Sequence, residues 1–294
     1  RPELAICAMP GPLDLLMIAA LRLAGAQIVV VVHEADRHPG DGFPFQMTLQ
    51  RLLCRVSDRI AALSGHVAGR LKQQGLCGRG AVKLVPFTHP PLAFDIPGGA
   101  RSPGPPRLLC FGRLLPYKGL DLLAAALSGL AGHVEVRVAG LGPESSALAA
   151  LRACPGVTVE NAWVPETGIG VLLAWSDAVV LPYREASQSG VAAAALAAGR
   201  PVIATRVGGL GEQLARVPNA YLCDPDEAGL RTAIEAWLQA PPGLTDTAHC
   251  RAQARDAWRD AAWGLVQAAS RSDMGRRARP RGAAPPLPRP MSPG

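Results

Sequence analysis

The chain has 294 residues, of which 49% are hydrophobic and 18% charged, and its formal net charge is +7. These values describe a globular protein long enough for two domains that each bury a core, and they exclude a low-complexity chain. No apolar run reaches the roughly 20 residues of a bilayer-spanning helix. Seven scattered cysteines form no Cys-x-x-Cys pair, so the sequence predicts neither a zinc site nor a disulfide framework and favours the cytoplasm.

Residues 1–90 alternate short apolar runs with amphipathic segments. The runs at 4–9, 27–33, 59–63 and 82–86 predict strands, and the segments at 12–23, 45–56 and 67–74 predict helices. This alternation is typical of a parallel α/β sheet. A doubly wound half normally has about six strands, so four strands indicate an N-terminal domain that is truncated.

A proline-rich linker at 91–106 separates this domain from a second alternating series over 107–240. Strands are predicted at 107–111, 134–139, 157–161, 178–181, 202–205 and 220–223, with helices between them. Residues 241–273 predict one or two closing helices. The fold class is therefore α/β, with two Rossmann-like, doubly wound parallel sheets.

The positive charge is concentrated in the last segment of the chain, residues 274–294, which contains five arginines and no acid. Subtracting these charges leaves +2 for the remainder, so a nucleic-acid-binding body is not indicated. The segment is rich in proline and glycine and is predicted to be disordered. It either makes a peripheral contact with anionic lipid or is an extension without a binding role.

A serine-rich turn follows the predicted strand at 178–181. Ser187, Gln188, Ser189 and Gly190 precede an alanine-rich helix, so they occupy a helix N-terminus at the carboxyl end of a strand. Unpaired N–H groups and the positive end of the helix dipole favour phosphate there. A serine-rich N-cap without any ligand fits the turn equally well.

A basic loop follows the first strand of the second series. Gly112 and Arg113 open the loop, and Lys118 closes it before the next helix. The two cationic side chains can converge on the crevice that also faces the serine-rich turn. Two cations and a helix N-terminus suit a diphosphate, whereas isolated basic residues in such loops are usually solvated. The paired placement favours phosphate binding.

Four motifs of the second domain are Gly112-Arg113-Leu114 with Lys118-Gly119, Gly140-Leu141-Gly142-Pro143, Asp177 to Pro182, and Gly208-Gly209-Leu210-Gly211-Glu212. Together they resemble glycosyltransferase family 4, the glycosyl transferases group 1. The resemblance covers residues 4–240 and is strongest over 107–212. It implies the GT-B fold, in which two Rossmann-like domains face a cleft, with the acceptor on the N-terminal side.

The same resemblance implies transfer of a sugar from a nucleotide-sugar donor to a glycan or lipid-linked acceptor, with retained anomeric configuration. A UDP-sugar or a GDP-sugar is the favoured donor. It implies catalytic roles for His33, Arg113, Lys118 and Glu185, and donor-binding roles for Gly112, Ser187, Gln188, Ser189, Gly190, Val191 and Glu212. Without the resemblance, the sequence favours a capping or core role for His33.

The chain departs from the family pattern at the second of two glutamates, which falls at Ala194 or Ala195. Recognition of the donor ribose thus lacks its usual carboxylate. The family's mechanism implies no metal and no further cofactor, and no Asp-x-Asp motif is present. Charge on the departing diphosphate would be stabilised by Arg113, Lys118 and the helix N-terminus. A phosphate oxygen of the leaving group would act as the base, so no protein base is nominated.

Two other hypotheses stay open. A sugar-nucleotide-binding or scaffold protein without turnover is favoured by the short N-terminal domain and Ala194. A nicotinamide-dependent oxidoreductase is suggested by Gly140-Leu141-Gly142 after a strand, but Ser145 stands where the third glycine of that fingerprint is expected.

Overall fold

The computed structural model describes residues 2–8, 11–37, 45–77, 83–84, 96–98, 103–130, 132–243 and 245–277. Most of the expected linker and residues 278–294 of the expected disordered segment lie outside these ranges. The strands are β1 (Leu4–Cys7), β2 (Gln27–Val32), β3 (Arg59–Ala62), β4 (Lys83–Leu84), β5 (Arg107–Phe111), β6 (Glu135–Gly140), β7 (Val157–Asn161), β8 (Ala178–Leu181), β9 (Val202–Thr205) and β10 (Ala220–Cys223).

The helices are α1 (Asp14–Leu23), α2 (Gln46–Val56), α3 (Gly65–Gln73), α4 (Leu120–Leu127), α5 (Ser146–Ala153), α6 (Glu166–Trp175), α7 (Gly190–Ala197), α8 (Gly208–Leu214), α9 (Glu227–Gln239) and α10 (Thr247–Arg277), with a 3₁₀ turn at Pro116–Lys118. The expected alternation of strands and helices is thus present in both halves. A single helix, α10, follows α9, and it includes the first four residues of the segment expected to be disordered.

The N-terminal sheet is parallel and has the order β1-β2-β3-β4. The β-branched run of β2 explains its burial on both faces. Ile28 and Val30 pack beneath α1, α2 and α3 on one face, and Val29 and Val31 face Leu265 of α10 on the other. All three helices that connect the strands of this sheet therefore lie on the same side.

The second sheet is also parallel but has the order β10-β9-β8-β5-β6-β7. The chain moves outward from β5 to β7, returns to place β8 beside β5, and moves outward in the opposite direction. Helices consequently cover both faces: Leu108 packs in the cluster that holds α4 and α9, and Leu109 packs in the cluster that holds α6 and α7. The reversal between β5 and β8 leaves a crevice at their carboxyl ends, where ligands bind in such sheets.

Helix α10 connects the two domains physically, because it contacts α7 in the second domain and β1 in the first. Among the described residues, no helix combines the length and the apolar character needed to cross a membrane.

Candidate functional site

A cavity of about 580 Å³ lies at the reversal between β5 and β8. This volume falls in the usual range of small-molecule sites. The loop after β5, the segment that joins β7 to α6, and the β8–α7 turn (residues 182–189) supply its walls. The lining residues are Glu34, Phe111, Gly112, Arg113, Tyr117, Lys118, Gly140, Leu141, Trp163, Val164, Glu166, Ile169, Ala186, Gln188, Ser189, Gly190, Val191 and Ala194.

Lys118 is held against the β8–α7 turn by the backbone that follows it. Gly119 has φ +66°, and a Cβ atom there would overlap the carbonyl oxygen of Pro182, so glycine is required. The ammonium Nζ lies 3.7 Å from the ring centroid of the buried Tyr183 and 5.0 Å from that of Tyr117. Two aromatic faces therefore stabilise the charge of Lys118.

Burial lowers the pKa of Lys118 below the ordinary lysine value, and the nearby charge of Arg113 acts in the same direction. The guanidinium Nη2 of Arg113 donates a hydrogen bond of 3.2 Å to the hydroxyl of Tyr117. Two like charges in one cavity repel each other, so the site is poised to bind an anion that relieves the repulsion.

The start of α7 supplies backbone donors. Ser189 is the N-cap of α7 and its hydroxyl accepts a hydrogen bond from the N–H of Ala192 at 3.1 Å. The N–H of Ser189 itself donates to the side chain of Gln213 at 2.9 Å. Among the described residues no acceptor meets the N–H groups of Gly190 and Val191, and both residues line the cavity.

The other residues expected in the turn have different surroundings. Gln188 lines the cavity, and its side-chain Oε1 is buried without a hydrogen-bond donor in the described part of the chain. Ser187 is 6% exposed, and its carbonyl oxygen accepts a hydrogen bond from the hydroxyl of Ser64 at 2.9 Å. Glu185 is exposed and lies outside the cavity lining.

The outer part of the cavity is largely apolar. Leu141 and Trp163 form an exposed wall, being 54% and 75% exposed, and Val164 lies beside them in the lining. Glu166 contributes a carboxylate at the start of α6. Ala194, one of the two candidate positions for the second glutamate of the resembled family, also lines the cavity and offers no polar group.

The N-terminal domain reaches this region through the ends of β2 and β3. Ser64, which follows β3, bonds the β8–α7 turn as described above, and Glu34 lines the cavity from the end of β2. Glu212 lies outside the lining: its Oε2 accepts a hydrogen bond of 2.7 Å from the N–H of Gly65 at the start of α3. The structure therefore places Glu212 at a bond between the two domains.

His33 follows β2, as expected, but it lies outside the cavity lining. Its Nε2 is 2.9 Å from the carbonyl oxygen of Ala8, with which it shares a hydrogen bond. Among the described residues, no group of three or more histidine, cysteine, aspartate or glutamate side chains could hold a metal ion.

Two comparisons with known proteins concern the sequence. Residues 105–240 match the family model described as Glycosyl transferases group 1. Glycogen synthase of Mycobacterium tuberculosis is 30% identical over 239 residues, which cover 76% of this chain and 57% of that protein. The chain thus spans less than two thirds of the length of the curated relatives it matches.

Solved structures extend the likeness to both domains. Sucrose-phosphate synthase of Thermosynechococcus elongatus has a TM-score of 0.70 and 19% identity, with 93% of this chain and 74% of that chain covered. The catalytic domain of starch synthase IV of Arabidopsis thaliana, bound to ADP and acarbose, has a TM-score of 0.65 and 15% identity, with 92% and 73% covered. The fold is GT-B, and the segment that matches the group 1 model is its second Rossmann-like domain.

Several lining residues were not singled out from the sequence. Glu34, Trp163 and Glu166 follow the carboxyl ends of β2 and β7, so a search for polar and aromatic residues just after each predicted strand would have found them. Gln213 offers no comparable signal, because its role depends on how α8 packs against the β8–α7 turn.

Proposed function

We propose that this chain binds the donor of a glycosyltransferase and transfers a sugar from a nucleotide sugar to an acceptor. One observation carries the proposal: a cavity at the strand-order reversal of the second domain gathers Arg113, Lys118 and the N–H groups of Gly190 and Val191, which meet no acceptor among the described residues. Cations and a helix N-terminus together are suited to a diphosphate. The apolar wall at Leu141 and Trp163 fits the nucleoside.

The reaction we propose proceeds with retained anomeric configuration and without a metal ion. As the sugar–phosphate bond breaks, negative charge grows on the departing diphosphate, and preorganised cations and amides stabilise that charge in the transition state. Arg113 and Lys118 supply the full charges, and Gly190 and Val191 supply the dipoles. The proton of the acceptor hydroxyl passes to a phosphate oxygen of the leaving group, so the protein needs no base of its own.

We further propose that Gln188 recognises the donor sugar. Its side-chain oxygen is buried without a donor in the described part of the chain, and a rotation of this cavity-lining side chain would let a sugar hydroxyl at the diphosphate end satisfy it. The sequence makes UDP and GDP the candidate nucleotides of the donor. ADP is a third candidate, because the similar starch synthase is bound to ADP. The likeness to glycogen synthase favours a glycan acceptor over a lipid-linked one.

The expected compartment is the cytoplasm, in line with the seven free cysteines. A contact of the arginine-rich segment with a membrane surface is part of the proposal.

A second candidate function is a sugar-nucleotide-binding protein without turnover. Two observations favour it: Ala194 offers no carboxylate to the cavity, and His33 is hydrogen-bonded to Ala8 away from the lining.

Thermal unfolding of the purified chain with UDP, GDP, ADP and their common sugar conjugates tests binding. A ligand present at about 100 times its dissociation constant adds about 2.7 kcal/mol to the free energy of unfolding, so a selective rise in melting temperature names the donor. Arg113→Ala should remove the rise. Slow hydrolysis of the same sugar conjugate, also lost in Arg113→Ala, distinguishes an enzyme from a binding protein. A chain that melts cooperatively but responds to none of these compounds contradicts both functions.

A further inference from the structure

Gln213, near the end of α8, bonds to both polar groups of one residue in the β8–α7 turn. The N–H of Ser189 donates to Oε1 of Gln213 at 2.9 Å, and Nε2 of Gln213 donates to the carbonyl oxygen of Ser189 at 3.0 Å. A primary amide that pairs with the N–H and the C=O of the same residue fixes both the position and the orientation of that residue.

The pairing decides which backbone donors are left for a ligand. The N–H of Ser189 donates to Gln213, and the N–H of Ala192 donates to the hydroxyl of Ser189. The remaining donors at the start of α7 are the N–H groups of Gly190 and Val191, which line the cavity. The direction of these two groups follows from the backbone of Ser189, because they belong to the next two peptide units.

Helix α8 can reach the turn because its first residues lie very close to it. The N–H of Gly209 donates to the carbonyl oxygen of Ala186 at 2.9 Å, and a Cβ atom at Gly209 would overlap the carbonyl oxygen of Ser187. The hydroxyl of Ser64 bonds that same oxygen from the other domain. The turn is therefore shaped from outside the cavity, with Gln213 as its contact next to α7.

We propose that Gln213 is a positioning residue of the diphosphate site, which holds Ser189 so that the N–H groups of Gly190 and Val191 face the anion. The proposal rests on the proposed function, since it assigns Gln213 to the same site. Gln213 lies outside the cavity lining, so it acts through Ser189 and not by touching the ligand.

The first test is Gln213→Met, which keeps a flexible side chain of similar length and removes both hydrogen bonds. Isothermal titration measures the dissociation constants of UDP, GDP, ADP and inorganic pyrophosphate for the wild-type chain and the variant. We expect an about tenfold loss of affinity for every diphosphate that the wild type binds, in line with two misdirected charge-assisted bonds. The melting temperature of the unliganded variant should fall by no more than about 4 °C. Gln239→Met, at the exposed end of α9, should leave the affinities unchanged.

The second test is Gln213→Glu, which preserves shape. An ionised carboxylate accepts from the N–H of Ser189 but repels its carbonyl oxygen, whereas a protonated carboxyl donates to that oxygen and restores both bonds. The ratio of the variant's dissociation constant to that of the wild type should therefore fall towards 1 as the pH is lowered from about 7.5 to about 4, across the range where a glutamate protonates. Destabilisation alone would not produce this recovery.

Three outcomes overturn the proposal. Wild-type affinity in Gln213→Met shows that the bonds do not orient the amides. A loss in Gln213→Met without recovery of Gln213→Glu at low pH, together with a large fall in melting temperature, assigns Gln213 to stability alone. A wild-type chain that binds none of the four probes refutes the proposed function, and the Gln213 proposal with it; the other two outcomes leave that function intact.

Discussion

The two sheets of this protein are built from the same kind of unit but differ in the direction of winding. The N-terminal sheet runs β1-β2-β3-β4 without reversal, and the second sheet reverses between β5 and β8. Among the described residues that line the cavity, Glu34 alone comes from the N-terminal domain. Parallel strands alone are therefore not sufficient for a site. A reversal separates two neighbouring loops and opens the crevice, and the other sheet contributes bonds that hold the crevice in place.

One glycine from each domain shows how differently the two halves are packed. Gly75 and Gly119 have nearly the same backbone angle, φ +68° and +66°, but no atom lies within 4 Å of a Cβ placed at Gly75, whereas one at Gly119 would overlap Pro182. Gly75→Ala should lower the free energy of unfolding by about 1 kcal/mol, the cost of the left-handed conformation. Gly119→Ala should cost at least about 3 kcal/mol, because the overlap moves backbone. Urea unfolding measures both, and equal midpoints would show that the loop after β5 is loosely packed.

The next largest effect concerns the cations. Lys118→Met should weaken binding of the best nucleoside diphosphate about 10- to 100-fold, or about 1.4 to 2.8 kcal/mol, as expected for loss of a charged hydrogen-bond donor. Lys72→Met, which removes an exposed lysine from α3 in the N-terminal domain, serves as the matched control and should leave affinity unchanged. Since burial lowers the pKa of Lys118, loss of its charge should not reduce the melting temperature of the unliganded chain. Similar losses in both variants would mean that net charge, and not the cavity, binds the diphosphate.

A smaller effect tests the contact between the domains. Ser64→Ala removes the N-cap of α3 and the bond to the carbonyl oxygen of Ser187. Ser145 caps α5 in the same way, through the N–H of Leu148, and it provides the control for the cap alone. Ser145→Ala should cost about 1 kcal/mol, and Ser64→Ala about 1 kcal/mol more, because a buried oxygen loses its partner. Thermal unfolding compares them, and equal costs would mean that the inter-domain bond adds nothing to stability.

The smallest expected effect is a pH dependence. The folded chain releases the proton of Lys118 at a lower pH than the unfolded chain does, because burial lowers the pKa. Between the two pKa values the unfolded chain binds more protons, so the stability of the unliganded chain should rise with pH there. Diphosphate affinity should fall a few-fold over the same range as the ammonium is lost. Titrations from about pH 7 to 10 should show no such fall in Lys118→Arg, whose side chain stays charged, and a parallel fall in that variant would assign the effect to another group.

The sequence predicted those parts of the candidate site that lie within short segments. The loop with Arg113 and Lys118 joins a strand end to a helix start within a few residues, and the turn before α7 does the same. The alternation of elements likewise predicted parallel sheets in both halves.

The partners of Glu212 and His33 were outside the reach of such reasoning. Glu212 meets Gly65 across 147 residues of sequence, and His33 meets Ala8 across 25. Which groups meet at these separations depends on strand order and on the packing of one domain against the other. Gln213 shows the same limit at 24 residues, because a side-chain amide is as common on solvent-exposed helices as beside a turn.

The contact of α10 with β1 has a consequence for how the chain folds. Val29, Val31 and Ala61 form one face of the first sheet, and Leu265 packs against them, so this face is covered by a residue synthesised more than two hundred positions later. During synthesis the early sheet emerges with that apolar face still exposed, a state that attracts chaperones and other nascent chains. Contacts of such long sequence separation also slow folding. Of the two domains, the N-terminal one is therefore made earlier but completed later.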